Sequence, residues 1–598
     1  MPRTEQKTNT PLHYRVEVAD LHAHLFRITL GIAQPAAGQR VSLPVWIPGS
    51  YLVREFAKNL QRLQARQGGR AIALQQLDKA SWQIDCKADE PLVLSYEVYA
   101  FDNSVRTAWL DATRGFFNGT SLCLRVHGQE NSPHALELVA GKSIANWSAA
   151  TGLSPHKVTK KGFGTYLAAD YDELVDCPVE LGNFWSGSFA ACGVPHRFVV
   201  AGAAASFDGE RLLADAKRIC EAQIRFWHAK PGSGARSRLR PPYRSYLFML
   251  NTVDDGYGGL EHGNSTALIC GRKDLPRLGE ARPSEGYTTL LGLISHEYFH
   301  TWNVKRLRPA DFARYDYERE NYTQLLWFFE GFTSYYDDLL LRRASLIDDA
   351  TYLKLLNKTI NQVQQTPGRE VQSVAQASFD AWVKYYRQNE NTANATVSYY
   401  TKGALVALCF DLSLRAEGRT NLDEVMRALW SRCHSSSDGP MTEADLATVL
   451  HELGGRSFAR EIASWVHGTK ELPLKDLLQR QGVAVHDDPA QMAQRLGLRV
   501  TENGAIQIKT VLRGGAAERA GFAAGDEWLA VEVAGTGWRL GKIDELTLYA
   551  GASKKVTALV SRDKRLLRLD LSLPAADTTW RLALRDAALT QPWLAPQS

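Results

Sequence analysis

Two histidines four residues apart, His296 and His300, stand in the stretch GLISHEYFHTWNV (292–304), with Glu297 directly after the first. On an α-helix, positions i and i+4 lie about 40° apart on one face, so both imidazoles can address one ion. The intervening glutamate projects roughly 100° from His296, which sets a base beside a Lewis acid without making it a ligand. A second stretch, His451-Glu452-Leu453-Gly454-Gly455, opens in the same way but lacks the second histidine.

Catalytic zinc takes three protein ligands and keeps one position open for water. The carboxylates downstream are Glu318, Glu320 and Glu330. Glu318 and Glu320 lie in the polar run RYDYERENY and read as solvent-facing. Glu330 lies in LLWFFEGFTSYY, where a carboxylate among aromatic rings loses hydration unless a cation compensates. Two histidines and one glutamate around an open site are the ligand set of zinc peptidases.

The elements that must hold these groups follow from periodicity. From about residue 12 to 190 short alternating runs (YRVEV, LFRITLGI, RVSLPVWIP, LVLSYEVYAF, LCLRVHG) read as strands broken by Gly, Pro and Asn. HRFVVAGA and YRSYLFML read as strands flanking a helix at about 208–228, where Leu212, Leu213, Ala216, Ile219, Cys220 and Ile224 recur at helical spacing. The pattern is helical from about 285 to 470. It then returns to strands in LGLRV, GAIQIKTVL, EWLAVEVAG, KVTALVSR and LLRLDLSL, with a short helix in GGAAERAGFAAGDE (514–527) closed by Gly521. Strands first and helices afterwards predict an α+β catalytic unit.

Length and composition narrow the function classes. At 598 residues the chain exceeds a single core, and 44% hydrophobic residues with 23% charged ones fit a globular, multidomain protein. The 70 Lys+Arg against 65 Asp+Glu leave +5, spread without a basic stripe, so nucleic acid is not the expected partner. No 18-residue apolar run is present, and no membrane partner is expected. The N-terminus lacks a signal-peptide pattern, and the 8 cysteines never form C-x-x-C, which together suggest reduced thiols in a cytoplasmic setting.

HEYFHTWNVKRLRP followed by WFFEGFTSYY resembles the M61 glycyl aminopeptidase family of gluzincin metallopeptidases, relatives of the aminopeptidase N family. PVWIPGSYLVREFAKN (44–59) is similar to that family's N-terminal β-domain, and the C-terminal part is similar to its PDZ domain. The resemblance implies a multidomain α+β chain: an N-terminal β-sandwich (1–190), a thermolysin-like, mostly helical catalytic domain (191–480) and a PDZ-like β-domain (481–598). It implies one Zn2+ per chain on His296, His300 and Glu330, with Glu297 as general base. YGGLEHGNS (257–265) resembles the relatives' G-x-M-E-N segment, which implies substrate binding by Gly259 and Glu261, the glutamate gripping a free α-amine; here Leu-Glu-His replaces Met-Glu-Asn. SYYTKGALVAL (398–408) resembles their Y-x-K-G segment and implies that Tyr400 donates to the tetrahedral intermediate, while Lys402 is read as structural. Leu496, Gly497 and Leu498 resemble the PDZ loop that holds a terminal carboxylate, implying a C-terminal peptide or another protomer as guest.

The expected activity is removal of N-terminal residues, Gly or Ala by resemblance, from peptides with a free N-terminus. A zinc endopeptidase and an inactive PDZ-type peptide-binding scaffold are the alternatives.

Overall fold

The structure, a computed structural model, describes residues 11–88, 90–228, 239–435 and 440–595. The chain divides into two compact units, Met1–Asn321 and Tyr322–Ser598, and the division falls inside the segment 191–480.

The first unit opens with a β-rich part. An eight-stranded sheet runs in the order Ser154–Val158, Gly164–Ala168, His134–Leu138, Leu12–Asp20, Leu25–Ile32, Leu92–Tyr99, Leu60–Gln67 and Arg70–Ile72, accompanied by two four-stranded sheets. Alternation drives it: in LFRITLGI, Phe26, Ile28, Leu30 and Ile32 are buried while their neighbours face outward. LCLRVHG departs from expectation. Its start belongs to a helical turn, Gly119–Leu122, and only Arg125–Val126 is strand. The cause is three tyrosine hydroxyls that satisfy consecutive carbonyls: Tyr96 donates to Leu122 O at 2.6 Å, Tyr171 to Cys123 O at 2.7 Å and Tyr14 to Leu124 O at 2.7 Å. A backbone bonded in this way needs no ladder partner.

A five-stranded sheet follows, built from β1 (Trp185–Ala191), β2 (Val194–Ala201), β3 (Tyr246–Val253), β4 (Tyr257–Glu261) and β5 (Ser265–Gly271), in the spatial order β1-β2-β3-β5-β4. Strands β2, β3 and β5 are parallel; among the described residues β4 pairs antiparallel with β5 alone and forms an edge. Helix α1 (Gly209–His228) packs on β1 and on α2 (Glu285–Phe299), which lies along β4 and β5. Ser284 caps α2 by accepting the Tyr287 N–H at 3.0 Å, and Leu290, Leu291, Ile294 and Tyr298 bury its inner face.

The second unit is helical first. After a single helical turn (Leu326–Phe329), α3 (Gly331–Arg343) crosses α4 (Thr401–Glu417) at two glycines. A Cβ at Gly331 would lie 2.6 Å from the Gly403 backbone, and one at Gly403 would lie 2.6 Å from Trp327 O, so neither position accepts a side chain. A smaller sheet follows: β6 (Leu498–Glu502), β7 (Ile506–Val511), β8 (Glu527–Val533), β9 (Lys555–Arg562) and β10 (Arg565–Ser572), packed around Trp528 and Leu546. Helix α5 (Ala587–Leu594) returns to the helical part, where Trp593 is fully buried. Among the described residues no helix is long and apolar enough to cross a membrane.

Candidate metal centre and peptide cleft

In the first unit, His296 and His300 converge from the last turn of α2, their Nε2 atoms 3.1 Å apart. His300 Nδ1 lies 2.8 Å from the Asn303 carbonyl, which fixes the proton on Nδ1 and turns the Nε2 lone pair towards His296. The chain then turns sharply, with Leu307 N–H on Trp302 O at 2.8 Å and Lys305 N–H on His300 O at 3.1 Å. Val304 takes φ 113, a costly conformation for a β-branched residue, inside this turn.

Edge strand β4 runs past the same helix. Gly259 presses against Glu297 so closely that a Cβ there would overlap the carboxylate, the physical reason for glycine at this point. Glu261 ends the strand and is 5% exposed, and it accepts no hydrogen bond from the described residues. Glu261, Glu297 and His300 offer donor atoms that all lie within 4.8 Å of one another. Gly49, with φ +89 in the turn Ile47–Ser50, closes over Glu261; a Cβ there would stand 2.5 Å from both carboxylate oxygens.

Beside β4 lies a half-buried ion cluster that nothing in the sequence signals. Asp176 accepts from Lys305 Nζ at 2.7 Å, lies 3.1 Å from His262 Nδ1, and takes the Gly263 N–H at 2.9 Å. Burial alone would raise the Asp176 carboxyl, but Lys305 and His262 hold it well below the usual carboxylate range. One carboxylate from the β-rich part thus ties the residue after Glu261 to the turn after His300. A mixed-charge cavity of about 250 Å³, lined by Asp176, Lys305 and Arg308 among others, opens beside it.

The second unit supplies the other expected groups. Glu330, 2% exposed, precedes Gly331 at the glycine crossing, and Tyr400 precedes α4 on its other side. Burial, then the Glu330 carboxylate and the Tyr386 hydroxyl, push the Tyr400 phenol well above its usual range. It therefore stays protonated and able to donate. Lys402 donates to Arg369 O at 3.3 Å, and burial pushes its ammonium down to about 8. His451 of the incomplete motif sits in a separate helix, Glu443–Gly454.

The expected carboxylate loop sits in the small sheet. Leu496 ends a helical turn, Gly497 (φ 74) returns its N–H to Gln494 O at 3.0 Å, and Leu498 starts β6, which among the described residues pairs only with β7. Asn394 joins this sheet to the helical part, giving its Nδ2 to Val511 O at 2.9 Å and accepting the Arg513 N–H at 2.8 Å.

Residues 13–183 match the Peptidase M61 N-terminal domain and residues 289–406 match M61 glycyl aminopeptidase. The solved structure of an aminopeptidase N family protein from Idiomarina loihiensis is 36% identical, with 98% of this chain and 100% of that chain covered and a TM-score of 0.91. An M1 zinc metallopeptidase from Deinococcus radiodurans is 15% identical over 78% of this chain and 95% of that one, with a TM-score of 0.47. No curated protein matches. A buried glutamate held against an edge strand suits peptide-bond hydrolysis, and the family match together with the 36% identical structure agrees that the protein is a peptidase. More narrowly, the chain belongs to the M61 glycyl aminopeptidase family, related to the aminopeptidase N family.

Proposed function

We propose that this peptidase is a zinc-dependent aminopeptidase that removes one N-terminal residue, Gly or Ala by family likeness, from peptides with a free α-amine. The observation that carries the reading is Glu261: a buried carboxylate with no donor of its own, within 4.8 Å of the base and of one imidazole. An ammonium is the ligand that answers it.

His296, His300 and Glu330 are the residues that would hold one Zn2+; two converging imidazole nitrogens and a buried carboxylate on an aromatic helix fit that ion's donor preference. When bound, the ion would polarise the scissile carbonyl and make water acidic enough to lose a proton near neutral pH. Glu297 takes that proton and passes it to the departing amine. Gly259, having no side chain, lets the base and strand meet. Tyr400 donates its hydroxyl to the oxyanion, a contact made only near the transition state. Glu261 fixes the substrate's first residue by its amine. In the small sheet, the open edge of β6 with Leu496, Gly497 and Leu498 at its start would accept a C-terminal peptide or a second protomer by strand addition.

The test is zinc content together with hydrolysis of glycyl and alanyl amides, free and N-acetylated. One zinc per chain and cleavage of the free-amine substrates alone is the expected result; cleavage of the acetylated forms would make it an endopeptidase. Glu297→Gln should lower kcat by about 10²–10⁴-fold with zinc retained. Loss of the metal in that variant would mean that Glu297 is a ligand rather than the base.

A further inference from the structure

Arg106 belongs to the β-rich part of the first unit, far in sequence from the cleft, yet its guanidinium lies along the outer edge of β4. Nη2 donates to the Gly259 carbonyl at 3.1 Å, and Nη1 would be 3.6 Å from a Cβ on Gly258. No carboxylate among the described residues lies within ion-pair distance of it, and its Nε finds no acceptor among them. Arg106 is a cation without a counter-charge, half-buried on the one edge of the sheet that runs beside the candidate base.

Two facts give this position a meaning. First, β4 is paired on one side only, so a peptide that adds to it lies on the edge Arg106 occupies, antiparallel, with its amine at Glu261 and its chain running back towards Gly259 and Gly258. Second, Arg106 already holds the Gly259 carbonyl that a longer strand would use, so the added strand has to stop there. A strand rises about 3.3 Å per residue, which puts Gly259 about 7 Å and Gly258 about 10 Å from Glu261 along β4. Those are the ammonium-to-carboxylate lengths of an extended dipeptide and tripeptide.

We propose that Arg106 is a substrate-binding residue for the free α-carboxylate of di- and tripeptides, so that Glu261 and Arg106 together recognise both ends of a short peptide. The assignment rests on the aminopeptidase reading above. An amine at one end and a carboxylate at the other, each meeting an opposite charge that has no hydrogen-bonded ion-pair partner among the described residues, selects short peptides over protein N-termini. It also gives the β-rich part a share in specificity.

The test compares Gly-Ala and Ala-Ala-Ala as free acids with the same peptides amidated at the C-terminus, using the full-length zinc-loaded enzyme. A glycyl 4-nitroanilide, which has no carboxylate, reports on the basic reaction. In the wild type kcat/KM for the acids should exceed that for the amides by at least about tenfold, mainly through KM. In Arg106→Gln this acid-to-amide ratio should collapse to about one, and Arg106→Lys should keep part of it. Equal rates on acids and amides in the wild type, or a ratio that survives in Arg106→Gln with zinc content and melting temperature unchanged, would overturn the assignment. If the anilide is cleaved in those cases, the aminopeptidase reading stands and only Arg106 is wrong; if no free-amine substrate is cleaved, both fall.

Discussion

Glu261 in the first unit and the pair Asp411 and Asp423 in the second are all buried carboxylates, but their surroundings differ. Asp411, fully buried, accepts from Tyr335 at 2.5 Å, from Arg415 at 2.9 Å and from the Leu422 N–H at 2.9 Å. Asp423 accepts from Arg343 at 3.1 Å and Arg415 at 3.3 Å, and these two hold its carboxyl below the usual range against the pull of burial. Glu261 accepts no hydrogen bond from the described residues and has around it the field of Lys305, the nearby Glu297 and His300, and a tight glycine turn. Burial alone does not mark a site. The contrast lies in saturation: a carboxylate whose acceptor sites are filled holds the fold, and one left open awaits a ligand.

The largest expected effect tests the saturated side. Asp423→Asn removes one charge facing two buried arginines and should cost about 3–5 kcal/mol in denaturant unfolding, with the kinetic constants of the remaining folded enzyme little changed. Tyr400→Phe comes next: kcat should fall by about 10²–10³-fold, near 3 kcal/mol, with KM nearly constant, because in the proposed mechanism the hydroxyl serves only the transition state. Glu261→Gln sharpens the contrast from the other side. Stability should hold or rise slightly, while kcat/KM on free-amine substrates falls roughly 10- to 100-fold, as expected for one charge-assisted contact of about 1.5–3 kcal/mol. Equal stability losses in Glu261→Gln and Asp423→Asn would break the comparison.

Lys402 is a half-satisfied intermediate and carries the most gradual effect, the smallest per pH unit. Its folded pKa of about 8 lies below the ordinary lysine value of 10.5, so the unfolded chain binds more protons between the two. The penalty for burying the charge is therefore present below pH 8 and is relieved as pH rises towards 10.5. Relative to Lys402→Met, the wild type should gain at most about 1.4 kcal/mol per pH unit across that window, read by denaturant melts at each pH.

Parts of this were legible in the sequence because they are local. The i, i+4 histidines mark the end of α2, and Glu330 stood out because its neighbours are aromatic. The glycine crossing that sets Glu330 near Tyr400 was present in EGF and YTKG, but its purpose shows only when both helices are seen together. Arg106 and Asp176 had no signal. They reach β4 and the post-histidine turn through side-chain bonds spanning 153, 86 and 129 residues, and no periodicity encodes such a contact. The stretch LCLRVHG misled for a related reason: three distant tyrosines replace the ladder that its alternation predicted.

Helix α5 closes the second unit from within. Arg343 gives Nη2 to the Trp593 carbonyl at 3.0 Å, the Trp593 indole donates to Tyr335 at 2.9 Å, and Arg415 reaches Pro592 O at 2.7 Å. Every strand of the five-stranded sheet in the first unit is complete by residue 271. On the ribosome the first unit can condense while synthesis continues, whereas the second lacks a wall of its core until residue 593 has emerged. A chain stalled after residue 321 and before α5 would present a finished first unit and an open helical core, which makes the interval before α5 arrives the window in which chaperones and proteases compete for it.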